Sequence, residues 1–300
     1  MPHWWTAALN LLYYGTGNPN PDYYGDDRKG DNLYTCSLLA IDADTGKLKW
    51  HYQFTPHDIH DWDATQVPVL GEFAIGGQQR KVVMSANRNG FFYVFDRENG
   101  KLLLGKPFTG TKWARELGAD GRPVVLDDVG TREKCLPDQR GGTNFMPPSF
   151  DPARRTFFVT ARETCATWES IKPESITLGD RVPSGGPRRF AGGPQQYSAL
   201  RAIDPATGEI RWEHRFRAIP SEMVLDLSGG AMSTATGIVF SGDNDGYLYA
   251  FESASGKELW RFQTGAPIWG IAPITYMLDG VQWVAVPSGV TLTAFTLPGN

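Results

Sequence analysis

Hydrophobic residues along the chain gather in short runs bounded by Gly, Asp, Asn or Pro, with no long amphipathic stretch of helical period. Leu11-Leu12-Tyr13-Tyr14, Gly90-Phe91-Phe92-Tyr93-Val94-Phe95, Thr156-Phe157-Phe158-Val159-Thr160 and Leu248-Tyr249-Ala250-Phe251 are such runs. Rich in aromatic and β-branched residues and closed by turn formers, they predict strands, Gly90 to Phe95 as an alternating one. Solenoids of paired helices are excluded.

The runs repeat. Ala40-Ile41-Asp42-Ala43-Asp44-Thr45-Gly46-Lys47-Leu48-Lys49-Trp50 returns as Val94-Phe95-Asp96-Arg97-Glu98-Asn99-Gly100-Lys101. It returns again as Ala202-Ile203-Asp204-Pro205-Ala206-Thr207-Gly208-Glu209-Ile210-Arg211-Trp212, and as Ala250-Phe251-Glu252-Ser253-Ala254-Ser255-Gly256-Lys257-Glu258-Leu259-Trp260. A degenerate copy, Ser149-Phe150-Asp151-Pro152-Ala153-Arg154-Arg155, fills the remaining gap, so that the acidic residues stand at 42, 96, 151, 204 and 252. Leu292-Thr293-Ala294-Phe295 is a remnant. In each copy a strand meets a turn that Asp and Thr tie by local hydrogen bonds and Gly closes at positive φ; a second strand then leaves and, in three copies, carries Trp. One hairpin cannot bury both its faces, so the copies must stack. A period near fifty residues built from short strands suits a β-propeller of four-stranded blades. The repeated Trp is expected to pack between blades. Two irregular stretches, about 105–144 and 167–198, read as long loops.

Composition narrows the class. Gly 34 and Pro 21 fit many turns, and ten Trp fit large packing surfaces. Net charge is -4 with no basic stripe, so nucleic acid is not an expected partner. No apolar run reaches the roughly 20 residues that span a bilayer. No secretory leader precedes Leu11, and the chain opens in mid-pattern, as a piece of a longer protein would. The cysteines Cys36, Cys135 and Cys165 show neither zinc-site nor covalent-haem spacing.

Candidate chemistry centres on Thr55 to Gln66, where His57, Asp58, His60, Asp61 and Asp63 crowd together after a strand-like run. Pro56 disfavours helix before it, which places the cluster on a loop leaving a sheet. Asp61 and Asp63, two apart on an extended loop, would point the same way. His57 and His60 lack a nearby third His for zinc and read as structural or substrate-lining. Taken alone, a polar turn accounts for the cluster equally, a turn residue before Pro19 for Asn18, an exposed hairpin arginine for Arg88, and a local cap for Asn144.

The Ala-x-Asp-x-x-Thr-Gly-x-x-x-Trp copies resemble the tryptophan-docking motifs of the quinoprotein dehydrogenases, eight-bladed propellers that use pyrroloquinoline quinone (PQQ). Gly15-Thr16-Gly17-Asn18-Pro19 is similar to the family segment whose Asn binds the metal. Thr55 to Asp61 is similar to the segment that ends in the catalytic aspartate. Arg88-Asn89-Gly90 resembles the segment that sets a cation beside the quinone oxygens, and Gly141-Gly142-Thr143-Asn144 the one whose Asn contacts PQQ. The resemblance implies Asp61 as catalytic base and as metal ligand with Asn18; Arg88 and Asn144 would contact PQQ, with Trp5 near the place of the stacking Trp. Asp63 is the position where an Asp accompanies lanthanide use in the methanol-oxidising branch. The chain departs from the pattern in having no adjacent Cys pair, no acidic metal ligand from earlier blades, a short spacing from Trp5 to Asn18, and Phe145 where Trp is usual. A Cys135–Cys165 bridge, placed like one in methanol-type members, would pin the loop before Asn144; two independent thiols are the alternative, and Cys36 has no partner.

The expectation is therefore an all-β fragment, five repeats plus a remnant of an eight-bladed propeller lacking its N-terminal blades, spanning 1–300. It would oxidise a primary alcohol or polyol with PQQ and Ca²⁺ or a lanthanide, in the periplasm, passing electrons to a cytochrome c or a quinone-type acceptor. The rivals are a PQQ sugar dehydrogenase of the glucose type and a cofactor-free propeller scaffold of the outer-membrane assembly type.

Overall fold

The computed structural model describes residues 5–6, 9–126, 137–164, 166–175, 182, 184–189, 196–218 and 228–297. Every regular element among them is a strand. The chain divides into two compact units, one of Met1–Asn144, Arg162–Gln196 and Ala206–Gly208, the other of Phe145–Ala161, Tyr197–Pro205 and Glu209–Asn300.

In the first unit, β1 (Trp5–Thr6), β2 (Leu11–Gly15), β3 (Ser37–Asp42) and β4 (Leu48–Gln53) form one antiparallel sheet in chain order. Strands β5 (Val69–Ile75), β6 (Gln78–Ala86), β7 (Phe91–Asp96) and β8 (Leu102–Pro107) form a second. Strands β9 (Ala114–Leu117) and β10 (Pro123–Val125) pair as a two-stranded ribbon. The second unit holds β11 (Ser149–Asp151) and most of β12 (Thr156–Glu163). After them in the chain come β13 (Ala166–Ser170) and β14 (Gly185–Arg189), which pair with each other in the first unit, and then β15 (Tyr197–Ile203) and β16 (Ile210–Ala218). The third sheet runs β11-β12-β15-β16. Strands β17 (Ala231–Ser233), β18 (Ile238–Gly242), β19 (Tyr247–Glu252) and β20 (Glu258–Gln263) make a fourth sheet. The three strands β21 (Ile274–Leu278), β22 (Val281–Ser288) and β23 (Thr291–Thr296) make the last.

The repeat maps onto these sheets with one correction. Asp42, Asp96, Asp204 and Glu252 each open the turn between the third and fourth strands of a sheet, and Gly46 and Gly100 return their N–H to the carbonyls of Asp42 and Asp96 at 2.9 Å. Asp151 instead opens the turn between β11 and β12, in the same sheet as Asp204. The degenerate copy is not a blade of its own. The β13–β14 ribbon falls between β12 and β15 in the chain and pairs as a two-stranded sheet of its own, so the four strands of the third sheet draw on two periods of sequence. The remnant Leu292–Phe295 lies on β23, the third strand of the three-stranded sheet. The two stretches read as long loops contain the β9–β10 and β13–β14 ribbons and overlap β8 and β15 at their edges. Strand β7 is buried at all six positions rather than at alternate ones, because β6 and β8 flank it and side chains cover both its faces. Both proposed bridge partners, Cys135 and Cys165, lie outside the described residues; Cys36 is a buried free thiol.

The motif Trp joins one sheet to the next. Trp50 on β4 donates its indole N–H to the Arg97 carbonyl at 3.3 Å, in the second sheet's turn. Its ring lies over Gly100, where an added Cβ would stand 2.6 Å from Trp50 Cδ2. Trp212 repeats this on the fourth sheet, bonding the Ser253 carbonyl at 3.0 Å and lying over Gly256. The motif glycine thus serves twice, allowing φ of +76° at Gly100 and leaving room for the indole. Tyr13, Trp50, Phe54, Trp62, Tyr93, Phe95 and Trp113 share one buried cluster in the first unit. A second cluster, within the second unit, includes Phe158, Leu200, Phe216, Tyr249 and Phe251.

Candidate active site

The residues singled out from sequence converge in the first unit, on irregular backbone between strands. Asn18 follows β2 by three residues, and its backbone N–H donates to Asp63 Oδ1 at 3.0 Å. Gly17 allows that approach: a Cβ there would stand 3.0 Å from the same oxygen. Asp61 and Asp63 lie between β4 and β5, on the irregular backbone expected after Pro56. Arg88 sits in the turn between β6 and β7, where Asn87 Oδ1 accepts the Asn89 N–H at 3.0 Å. Asn144 is buried, and its segment is pinned to that turn by the Gly142 N–H bonding the Arg88 carbonyl at 2.8 Å.

Arg88 is the hub. Its side chain is only 13% exposed, and its Nη1 lies 3.0 Å from Asp63 Oδ2 and 4.0 Å from Asp61 Oδ1. Nη1 also bonds the Asp61 carbonyl, while Nη2 reaches Asn144 Oδ1 at 3.3 Å. The arginine lies in a hairpin turn yet points inward. Among the described residues its Nε is buried without a hydrogen-bond partner. An unmet buried donor costs free energy, so this atom fits an anionic or carbonyl acceptor.

Asp61 sits at φ +59°. The segment is therefore not extended there, and period-two alternation is not what puts Asp61 and Asp63 on one side; the Arg88 guanidinium between them does. Burial pushes the Asp61 carboxyl up to about 7, Arg88 opposes the rise, and Asp22, Asp63 and Asp58 add to it. The Tyr23 hydroxyl stands 3.3 Å from Asp61 Oδ2 and 3.1 Å from Gln139 Oε1.

The two histidines hold the loop. His57 Nδ1 lies 2.8 Å from the Gly30 carbonyl. His60 stacks on Trp62 at 4.3 Å between centroids and meets the edge of Trp168 at 4.8 Å. Asp58, fully buried, accepts the Trp62 N–H at 3.1 Å. Trp62 in turn donates its indole N–H to the Asp138 carbonyl at 3.0 Å. Tyr23, Asp22, Gln139 and Trp168 join the site without having been singled out from sequence; only the proximity of Asp22 and Tyr23 to Asn18 in the chain hinted at it. For Trp5 the strand β1 is described but the side chain is not.

Among the described residues no three His, Cys, Asp or Glu side chains converge as a closed metal site. The candidate set is open: two carboxylates, Asp61 and Asp63, and the Asn18 amide oxygen, to which no protein donor in the described residues is turned. All are hard oxygen ligands, and they form too small a set to enclose a Ca²⁺-like ion, which takes 6–8 oxygens. They fit a cation that completes its shell from a cofactor and water. The crowding of carboxylates that raises Asp61 is what such a cation would relieve.

Known proteins share this arrangement of strands. Quinoprotein alcohol dehydrogenase PedH of Pseudomonas putida is 37% identical over 300 residues, covering 95% of this chain and 48% of PedH. The crystal structure of quinohemoprotein alcohol dehydrogenase from Comamonas testosteroni superposes with a TM-score of 0.84 at 33% identity, over 95% of this chain and 43% of that one. A europium-containing methanol dehydrogenase superposes at 0.85 and 32% identity, over 95% and 50%. The chain spans about half the length of the curated relatives it matches. Residues 5–106 and 192–284 match the β-propeller domain described as PQQ glucose/ethanol/alcohol dehydrogenase, and the chain belongs to that family.

Proposed function

We propose that this chain carries the reacting side of a PQQ-dependent alcohol dehydrogenase that oxidises a primary alcohol or polyol, with Ca²⁺ or a lanthanide as its ion. The observation that carries the reading is the single network joining Asn18, Asp61, Asp63, Arg88 and Asn144, in which, among the described residues, the Arg88 Nε has no hydrogen-bond partner and the Asn18 Oδ1 accepts from no donor. PQQ, when bound, would supply the acceptor for the two electrons and the hydrogen of the alcohol carbon, and the ion would supply Lewis acidity. Asp61 takes the hydroxyl proton on its carboxylate, which a neighbouring cation keeps ionised. Tyr23 holds Asp61 Oδ2 in place, and the Asp61 carbonyl is tied to Arg88. Arg88 and Asn144 would bind and orient the cofactor, Arg88 through its unmet donor. Asn18 and Asp63 would hold the ion with Asp61, and Trp5 would line the cofactor.

A cytochrome c or a quinone-type carrier would receive the electrons. A periplasmic setting and the Cys135–Cys165 bridge belong to the same reading; no described helix is long and apolar enough to cross a membrane. The europium in one matched structure supports the lanthanide option, since that protein is 32% identical to this chain. The test is reconstitution with PQQ and either ion, followed by a panel of alcohols and sugars. Asp61→Asn should cut turnover by at least about 10²-fold while the quinone absorbance of the bound cofactor persists. Retention of more than about a tenth of the parent rate would reject Asp61 as the base. Turnover of sugars alone would move the reading to a glucose-type enzyme, and failure to take up PQQ would favour the scaffold.

A further inference from the structure

The Asn18 side chain ends in an oxygen and a nitrogen of nearly equal size, and only the oxygen can ligate a cation. Turned the wrong way, the same amide would present two N–H groups to the ion and repel it. Something must therefore set the flip. The Asn18 Nδ2 donates to the Pro19 carbonyl at 3.1 Å and to Asp22 Oδ1 at 3.0 Å. Both partners are acceptors. The amide group between them must be the NH₂, and Oδ1 is left facing away, with no donor among the described residues turned toward it.

We infer that Asp22 is a positioning residue for the ion: it locks the Asn18 amide with its oxygen outward, and it does so without ligating. The inference rests on the reading of Asn18 as a metal ligand. The arch that carries Asp22 is built to hold the contact. It runs Asn18-Pro19-Asn20-Pro21-Asp22, and the two prolines fix φ at alternate positions. Arg28 clamps it to the loop of Asp61, its Nη2 bonding the Pro21 carbonyl at 3.2 Å and the Asp58 carbonyl at 2.6 Å. The Asn18 backbone is fixed independently through Asp63. With main chain and arch both anchored, rotation of the amide is the freedom left to the ligand, and Asp22 removes it. Partners that orient a metal ligand in this way typically contribute about 10–100-fold in metal affinity.

The test is a Tb³⁺ titration read by tryptophan-sensitised luminescence, with Ca²⁺ as competitor and no cofactor or substrate present. Asp22→Ala should weaken Tb³⁺ binding by about tenfold or more. Asp22→Asn should recover most of the loss, because its amide oxygen still accepts from Asn18 Nδ2 although the charge is gone. In an Asn18→Asp background the two ligand oxygens are equivalent and no flip remains to be set, so adding Asp22→Ala should then cost little. Equal weakening by Asp22→Asn and Asp22→Ala would overturn the lock, since it would show Asp22 acting by charge or as a ligand. So would a loss that persists undiminished in the Asn18→Asp background. If the parent binds and the Asp22 variants bind equally well, the lock is wrong and the metal reading stands; if the parent does not bind Tb³⁺, both fall.

Discussion

The motif glycines allow a matched experiment on what joins the sheets. Gly46 and Gly100 hold the same place in the repeat and nearly the same backbone, φ +67° and +76°. They differ in surroundings: a Cβ on Gly46 meets nothing within 4 Å, whereas one on Gly100 would stand 2.6 Å from Trp50 Cδ2 and 2.7 Å from its Cε3. Alanine at either site costs about 1–2 kcal/mol for the left-handed backbone. Loss of glycine freedom in the unfolded chain returns about 0.4–1 kcal/mol. At Gly100 the methyl must also displace a packed indole, and overfilling of this kind costs about 1–3 kcal/mol more. Gly46→Ala should therefore destabilise by roughly 1 kcal/mol and Gly100→Ala by roughly 2–4 kcal/mol. Gly256→Ala, facing Trp212 at the same 2.6 Å, should behave like Gly100→Ala. For domains of this general size each kcal/mol lowers the melting temperature by about 2–4 °C, so circular dichroism melts and urea titrations resolve the difference. Trp50→Ala combined with Gly100→Ala should be less harmful than the two losses added, because the first removes what the second collides with. If Gly46→Ala costs as much as Gly100→Ala, or the double variant is simply additive, the docking account is wrong.

Two further outcomes concern the candidate site. Asp63→Ala should weaken lanthanide-supported turnover far more than Ca²⁺-supported turnover, because it removes one of two carboxylates that Arg88 holds together; equal loss with both ions, measured side by side, would show that Asp63 does not select the ion. In chelator, Asp61 should make stability depend on pH. Its folded carboxyl is raised from 3.8 to about 7, so the folded state holds the proton more tightly. That contribution is present at acid pH and is lost as pH rises through about 7, and the melting temperature of the parent should fall over this range relative to Asp61→Asn, which has no such proton. Parallel pH profiles for the two proteins would contradict the assignment.

The period, the turn chemistry and the strand type were legible in the chain because they are local. An acidic residue four positions before a glycine makes the same turn at Asp42, Asp96 and Glu252, and Trp50 and Trp212, eight positions after their acidic residues, find the next sheet's glycine at Gly100 and Gly256. Asn18, Asp61, Arg88 and Asn144 were singled out because the short runs of sequence around them resemble the family's segments, and the structure joins all four, with Asp63, in one network on irregular backbone between strands. What the chain did not disclose depends on distant segments. Asp151 keeps the place of the acidic residue in the period although its copy lacks the motif Gly and Trp, and only strand pairing shows that it shares a sheet with Asp204. A two-stranded ribbon inserted in the chain between β12 and β15 takes up the length of a period without adding a four-stranded sheet, and spacing cannot distinguish an insertion from a repeat. The pairing of Asp61 with Asp63 across one guanidinium, the hydrogen bond from the Tyr23 N–H to the Ser184 hydroxyl across a sequence separation of 161, and the turn of the Asn18 amide toward Asp22 arise from packing. Side-chain direction at positive φ and the sharing of one arginine by several acceptors follow no period of the sequence. They are decided where separate loops meet, and that meeting is a property of the folded chain.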